Sequence, residues 1–530
     1  MNRSDLLIGR QRWLRKFARL VEKTCQVFHG RLHAMPTEFK SRIRNPKPEI
    51  ILLLICAVAF ALRLGPLFDN RFHPDEALFS TWALKIAQGE NLLLTGVPVD
   101  KPPLLIYLSA LSFFIFGQSE LAARVPNLIA SVISVPLLYQ STRRYWPDKR
   151  GVELPALLLA LSPFAILFAS TAFLDPLMVM FGLASLVAAS RGRMGWAGIL
   201  LGLSFATKVQ GLFFAPLVVL FAWSVARVHS RADTANTLKR VMGSGLLGFG
   251  IVLLIVLVWD RARGGLPFWV QQTINYGGIR AIYASELAPR LNGWLNFLPY
   301  FFGPIVGLLG LIGLPLLLYR DLTREARSRA AWIDLWLLTY TIGFLALHWF
   351  LAFPVWDRYL LILVPVVALL FARSLQRVTN LFHLAISPSL VLTIAALAIL
   401  PFSVTASRSG YPIGGDHGAH DGIDQVADYL KDLPPGTVVY DHWLAWQLSY
   451  YLGDGFAYVA YFDTPAALAA DLRVFAGHDD RYVIFPVRES PAKVIDAIGQ
   501  VGYTLTPVFA TQDRWGQTSF TIYQIVRRKA

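Results

Sequence analysis

The chain has 530 residues, 55% hydrophobic and 16% charged, with a formal net charge of +15 and two cysteines. A soluble globular protein carries about 25% charged residues, so that class is excluded; the apolar and aromatic content excludes disorder, and the cysteine count excludes a disulfide scaffold. What remains is a polytopic membrane protein, because apolar stretches near 20 residues recur along most of the chain and match the roughly 30 Å hydrocarbon thickness.

In chain order, the first long apolar run begins near Ile50 with no small-residue cleavage site after it, so residues 1–46 read as a basic cytoplasmic tail without a cleavable signal. In that tail Trp13, Phe17, Leu20 and Val21 recur at helical spacing against a basic face, as in a helix lying on an anionic leaflet; a plain solvated tail fits as well. Spanning segments are expected at 50–68, 122–142, 153–170, 175–190, 195–209, 211–226, 242–260, 294–319, 331–352, 358–373 and 383–404. The stretch 103–117 is ambiguous. If it spans, the loops with Arg143, Arg144, Lys149 and Arg150, and with Arg320, Arg324, Arg327 and Arg329, face outward. If it lies in the interface, those loops share the tail side with Arg191, Arg193, Arg227, Arg240, Arg373 and Arg377. The positive-inside rule selects the second arrangement.

The expected fold class is therefore mainly α: a polytopic membrane helix bundle of about eleven spans over residues 47–404, with two interfacial helices (76–89 and 103–117) on the outer face. Residues 405–530 alternate helical and extended signals (GIDQVADYLKDL, TVVYDHW, RYVIFPV, FTIYQIV) and read as a soluble extracytoplasmic α/β domain.

Charged groups near a bilayer are costly, so the informative residues are the ionisable ones gathered at one face. His73, Asp75 and Glu76 in HPDEA follow the first span. Capping is the plain reading; the sharper one is a carboxylate that takes a proton from an acceptor hydroxyl, with partial burial raising its pKa toward that task. Asp100 and Lys101 precede a double proline at the start of the second interfacial helix. Lys101 is either a snorkelling anchor or a phosphate-holding ammonium, and Asp100 either orients it or ligates a divalent metal. Asp175, before Pro176, opens a later helix as either a cap or a site residue, and Lys208 sits near a turn on the same side, with a snorkelling anchor as the plain reading; Asp357 and Arg358 open another helix, with a local salt bridge as the plain reading and phosphate binding as the sharper one. The loop 261–293, with Arg261, Arg263, Arg280, Arg290, Trp269, Tyr276 and Tyr283, offers groups that stack on sugars or pair with phosphate, as interfacial belts also do. Asp416, His417, His420 and Asp421 in GGDHGAHDG read first as a glycine-rich linker and second as a metal site. The outer-face clustering favours chemistry on a phosphate-bearing lipid over solute passage, because the middle of the expected spans holds almost no charge.

In order, HPDEALFSTWALKIAQG, DKPPLLIYLSALSFFIFG, AARVPNLIASVISVPLLY, TAFLDPLMVMFGLASL, GLSFATKVQGLFFAPL and DRYLLILVPVVALLFA resemble the membrane-embedded C-type (GT-C) glycosyltransferases, over roughly residues 45–405. The branch resembled is that of the dolichyl-phosphate-mannose protein mannosyltransferases and the aminoarabinose lipid A transferases. The resemblance implies an inverting glycosyltransferase that uses a polyprenyl-phosphate sugar at the outer face of the plasma (inner) membrane, with a lipid, glycan or protein acceptor in the envelope and no nucleic-acid partner. It further implies Asp75, with Glu76 beside it, and Asp175 as catalytic, and Lys101 and Arg358 on the donor phosphate. Asp100 stands where relatives place a metal-linked glutamate, and the shorter side chain weakens the case for Mg, Mn or Zn. His73 and Lys208 are further candidates. The rival class is a transporter or flippase of lipid-linked sugars.

Overall fold

The computed structural model describes residues 48–146, 151–229, 234–323, 328–381, 387–453, 458–475 and 480–528; the basic tail lies outside them. It divides into two compact units, residues 1–54 and 55–530, and everything below concerns the second.

Seven helices among the described residues are long and apolar enough to cross a membrane. They lie at Pro48–Asp69, Glu120–Tyr145, Met242–Ala262, Gly303–Thr323, Arg329–Phe350, Asp357–Gln376 and Pro388–Ala406. The other four expected spans fall on shorter pieces. Helices Asp175–Ser190, Met194–Thr207 and Val209–Trp223 take up three of them. The fourth, 153–170, is broken into Leu154–Leu161 and Pro163–Ala169, because Pro163 supplies no amide hydrogen and the Ser162 hydroxyl accepts from Ala165 N to start a second helix.

Two helices flank the loop 88–103: α1 (Pro74–Ala87) and α2 (Leu104–Phe116). The 13 residues of α2 rise about 20 Å, well short of the roughly 30 Å of a bilayer core. The buried apolar face of α1 lies against α2 through Phe79, Trp82, Ala83, Ile106, Ala110 and Phe113. Helix α3 (Glu120–Tyr145) locks to the first span through Arg63, whose fully buried guanidinium donates to Ser131 Oγ (2.9 Å) and to the carbonyls of Ala59 and Ala160 (2.9 Å each). Met194–Thr207 meets Thr234–Ala262 backbone to backbone: a Cβ on Gly198 would fall 1.9 Å from Gly245 O and one on Gly248 2.2 Å from Gly195 O. Small residues at such crossings let membrane helices approach closely.

The C-terminal part holds a five-stranded sheet in the order β2-β1-β3-β5-β4, with β1 Val438–Asp441, β2 Tyr458–Tyr461, β3 Arg481–Pro486, β4 Tyr503–Gln512 and β5 Thr518–Arg527. β2, β1 and β3 are parallel; β5 runs antiparallel to β3 and β4. Helices α4 (Ile423–Lys431) and α5 (Ala445–Leu452) cover one face, and α6 (Pro465–Phe475) and α7 (Ala492–Gly499) the other, so central β3 is buried along its whole length. Helix α5 also seats the domain on α1 and the segment before it. Tyr450 packs edge-on to Phe72 (4.7 Å between centroids), and Phe72 N donates to Tyr451 Oη (3.2 Å).

Candidate active site

The site begins at the N-terminus of α1. Pro74 takes the first helical position, and His73 caps the helix: its Nδ1 accepts from Asp75 N (3.2 Å) while Glu76 Oε2 accepts from His73 N (3.0 Å). Glu76 is therefore placed differently from the expected catalytic role. Its carboxylate is fully buried, and its other oxygen accepts from Arg124 Nε (3.2 Å) and Ala172 N (2.7 Å), so it ties the cap to α3 and to the loop before Asp175.

Asp75 points the other way. Its Oδ2 accepts from Arg358 NH1 at 2.5 Å, an ion pair between groups 283 residues apart. The local Asp357–Arg358 salt bridge is not formed; Asp357 instead accepts from the backbone amides of Arg358 (2.7 Å) and Gly414 (2.8 Å). Burial pushes the Asp75 carboxyl up, but Arg358, His73 and Lys101 outweigh it and hold the group below the usual carboxylate range. That reverses the raised pKa expected from burial alone. His73 is lowered by burial, against the pull of Asp75 and Glu76.

Two more ion pairs flank this one. Lys208 Nζ donates to Asp175 Oδ1 (2.7 Å) and lies 4.8 Å over the Tyr359 ring, so it is a buried partner rather than a snorkelling anchor. Lys101 Nζ donates to Asp100 Oδ2 (2.6 Å) and Tyr276 Oη (3.0 Å). Burial lowers the Lys101 pKa, partly restored by Asp100. Lys101, Asp175, Lys208, Tyr276, Trp356, Arg358 and Tyr359 line one narrow cleft. The Arg358 guanidinium lies over Trp356 (4.3 Å) and Phe173 (5.0 Å), and its Nε is buried without a partner. Three buried cations, one with an unused donor, thus face a common space whose paired carboxylates keep them from repelling one another.

The donor set at Asp100 does not fit a divalent metal. Oδ2 is engaged by Lys101 and by Asn275 Nδ2 (3.0 Å), leaving only buried Oδ1 beside an ammonium. Mg and Mn sites are built from several oxygens and Zn sites from three or four ligands. No group of three His, Cys, Asp or Glu suited to a metal occurs among the described residues. In GGDHGAHDG, Asp416 holds His420, and Asp421 grips Arg514 (2.7 and 2.8 Å).

Of the loop 261–293, Tyr276 reaches the cleft. Arg263 braces the carbonyls of Val97 (3.2 Å) and Val99 (3.4 Å) while paired to Asp260 (2.9 Å), which steadies the approach to Asp100. Arg280 pairs with Glu286, and Arg290 holds carbonyls near His348. Sequence reasoning did not single out Phe173, Trp356, Tyr359 or Arg124. Three of these flank a chosen residue within two positions, and that adjacency was the available signal.

The stretch 100–259 matches the family model described as dolichyl-phosphate-mannose-protein mannosyltransferase. YycA of Bacillus subtilis is 30% identical over 174 residues, 31% of this chain and 24% of its own length. The undecaprenyl phosphate-alpha-4-amino-4-deoxy-L-arabinose arabinosyl transferase of Pseudomonas savastanoi pv. phaseolicola is 24% identical over 312 residues, 56% of each chain. The chain thus spans from a quarter to just over half of these curated relatives. The crystal structure of ArnT from Cupriavidus metallidurans bound to undecaprenyl phosphate superposes with a TM-score of 0.59 at 14% identity, covering 90% of this chain and 97% of that one. The chain therefore resembles the membrane-embedded C-type glycosyltransferases in sequence and shares their fold, with Asp100, Lys101, Asp175 and Lys208 inside the stretch that the family model matches.

Proposed function

We propose that the chain is a glycosyltransferase that moves a sugar from a polyprenyl-phosphate donor to an envelope acceptor at the outer face of the plasma membrane. The observation that carries this reading is the cleft in which Lys101, Lys208 and Arg358 converge beside Asp75. A phosphate leaves readily once its charge is neutralised, and buried cations do this without reorganising at the moment of reaction. The acceptor oxygen attacks the anomeric carbon, the bond from that carbon to the phosphate oxygen breaks, and the lipid phosphate departs with the bonding electrons. A hydroxyl acceptor gives its proton to Asp75; a phosphate acceptor has none to give, and Asp75 then positions it.

The Asp75–Arg358 pair makes the order of events matter. While paired, Asp75 is a weak base because its pKa is held down. An arriving donor phosphate competes for Arg358 and its unused Nε, which loosens the pair and returns basicity to Asp75 once the donor is in place. Inversion follows from a single displacement of this kind. The family likeness supports the lipid-phosphate donor, since relatives are named for undecaprenyl phosphate and dolichyl-phosphate sugars. No step is assigned to a metal.

The test uses purified protein in liposomes with radiolabelled polyprenyl-phosphate sugars and membrane-extract acceptors, with and without EDTA. Transfer that persists in EDTA and falls at least ~100-fold in Asp75→Asn, the scale of a lost general base, is the expected result. Lipid movement without bond cleavage, unchanged in the variant, overturns the reading in favour of a flippase.

A further inference from the structure

The C-terminal sheet has a topological switch point. Strands β2, β1 and β3 are parallel, so their carboxyl ends share one edge. The chain leaves β1 toward α5 on one face, whereas it leaves β2 and β3 toward α6 and α7 on the other. The order of the sheet reverses at β1, and loops that part to opposite faces open a crevice there, the place where open α/β sheets bind ligands.

The residues at that edge are of one kind. His442 follows β1, Glu489 follows β3, and His442 Nδ1 meets Glu489 Oε1 at 2.6 Å across the switch point. The His442 ring stacks near Tyr461 and Phe462, which end β2 (6.2 and 5.5 Å). Trp443 stands edge-on to Tyr461 at 5.6 Å, and these two rings are 69% and 49% exposed. Trp443 also has φ +68°, a conformation that a bulky side chain adopts at a cost. The backbone thus holds an indole out in water beside a second aromatic ring and a half-buried His–Glu pair.

We infer that this crevice is a sugar-binding site, taking a neutral or amino pyranose of the acceptor on the exposed face of Trp443 beside Tyr461, with His442 and Glu489 on its hydroxyls. Exposed aromatic faces cover the apolar CH face of a pyranose, and a polar tip beside them satisfies its edge. Phosphorylated ligands are disfavoured by Glu489 and the exposed Asp463, and the turn after β1, His442–Trp446, has no glycine to bring backbone amides around a phosphate. The nearby Arg488 is turned to His420 (3.3 Å). Assigning the sugar to the acceptor rests on the transferase reading; the binding itself does not.

The experiment is saturation-transfer NMR on the full chain in nanodiscs, with methyl α-mannopyranoside and methyl β-N-acetylglucosaminide as probes and glucose 1-phosphate as control. Millimolar binding of at least one glycoside is expected, weakened about tenfold or more in Trp443→Gly and retained in Asp75→Asn. Glycine adopts φ +68° freely, so that variant removes the indole and spares the turn. Glu489→Gln is the second variant and is expected to weaken binding with Trp443 intact. No transfer from either glycoside, undiminished transfer in Trp443→Gly, or preference for glucose 1-phosphate overturns the proposal. So does quenching of Trp443 by brominated lipids, which would make it a membrane anchor. Loss of sugar transfer in the liposome assay with glycoside binding intact would remove the transferase reading alone.

Discussion

His73 carries two duties at one corner: it caps α1 and it fixes the backbone of Asp75. Only the neutral ring can accept from Asp75 N, so protonation removes the bond. Because the folded-state pKa lies below the ordinary 6.5, the stabilisation is fully present above that pH and is lost as pH falls through the lowered value. Asp75, also lowered, stays ionised over the same window and adds no limb of its own there. The kcat/KM–pH profile, which reports the free enzyme, is therefore expected to fall on the acid side below pH 6.5, and His73→Asn, which keeps an N-cap acceptor without a titrating ring, should flatten that limb. An unchanged limb in the variant would assign it to another group. Charges just after an apolar run, such as Asp75 and Lys101, are legible in a sequence because burial penalises them. Their partners are not: Arg358 lies 283 residues from Asp75, and Lys208 33 from Asp175, and nothing in local pattern says which cation folds onto which acid.

At the scale of elements, Glu76 shows how an adjacent acid is turned to a different use. One helical residue rotates the side chain by about 100°, so Asp75 faces the cleft while Glu76 faces Arg124, both sides of the latter pair being almost wholly buried. Removing one partner of a buried ion pair leaves a charge uncompensated, at about 3–5 kcal/mol. Glu76→Gln is thus expected to lower thermal stability in detergent much more than Asp75→Asn, whose partner keeps some access to water, and a Tm equal to that of the parent would contradict the bracing role. The apolar signal along an element has two sources. Apolar runs signal removal from water, whether into lipid or into protein. Asp175–Ser190, found at its expected bounds, is apolar on nearly every face because it is buried among other helices, so its 16 residues carry no lipid-facing stripe that a sequence could show. The interfacial reading of α2 rests on arginine placement in distant loops, since its own sequence is uniformly apolar.

Across the whole molecule, the C-terminal domain is wired into the cleft as well as set beside it. Arg514 donates to Asp69 O (2.7 Å) and Asn70 Oδ1 (3.1 Å) at the end of the first span, and Gly414 N donates to Asp357 Oδ2, the residue before Arg358. Gly414 has φ +69°, and a Cβ there would sit 3.1 Å from both the carbonyl carbon and Cβ of Leu167. An alanine must therefore accept a left-handed backbone, at roughly 1–2 kcal/mol, and also push against the helix Pro163–Ala169. Relief comes most easily by moving the linker, which withdraws the amide from Asp357 and lets the turn bearing Arg358 shift. Near the bond-breaking atoms a misplacement of about 1 Å costs on the order of 100-fold in rate. Gly414→Ala should accordingly lower kcat by tenfold or more with the helix bundle still folded, seen as an unaltered far-UV circular dichroism spectrum. Gly436→Ala provides the control, because it also has a positive φ (+89°) but meets nothing within 4 Å and lies in the turn before β1. Equal losses in the two variants would mean that backbone strain alone is responsible; a loss confined to Gly414→Ala would show that the linker sets the position of Arg358.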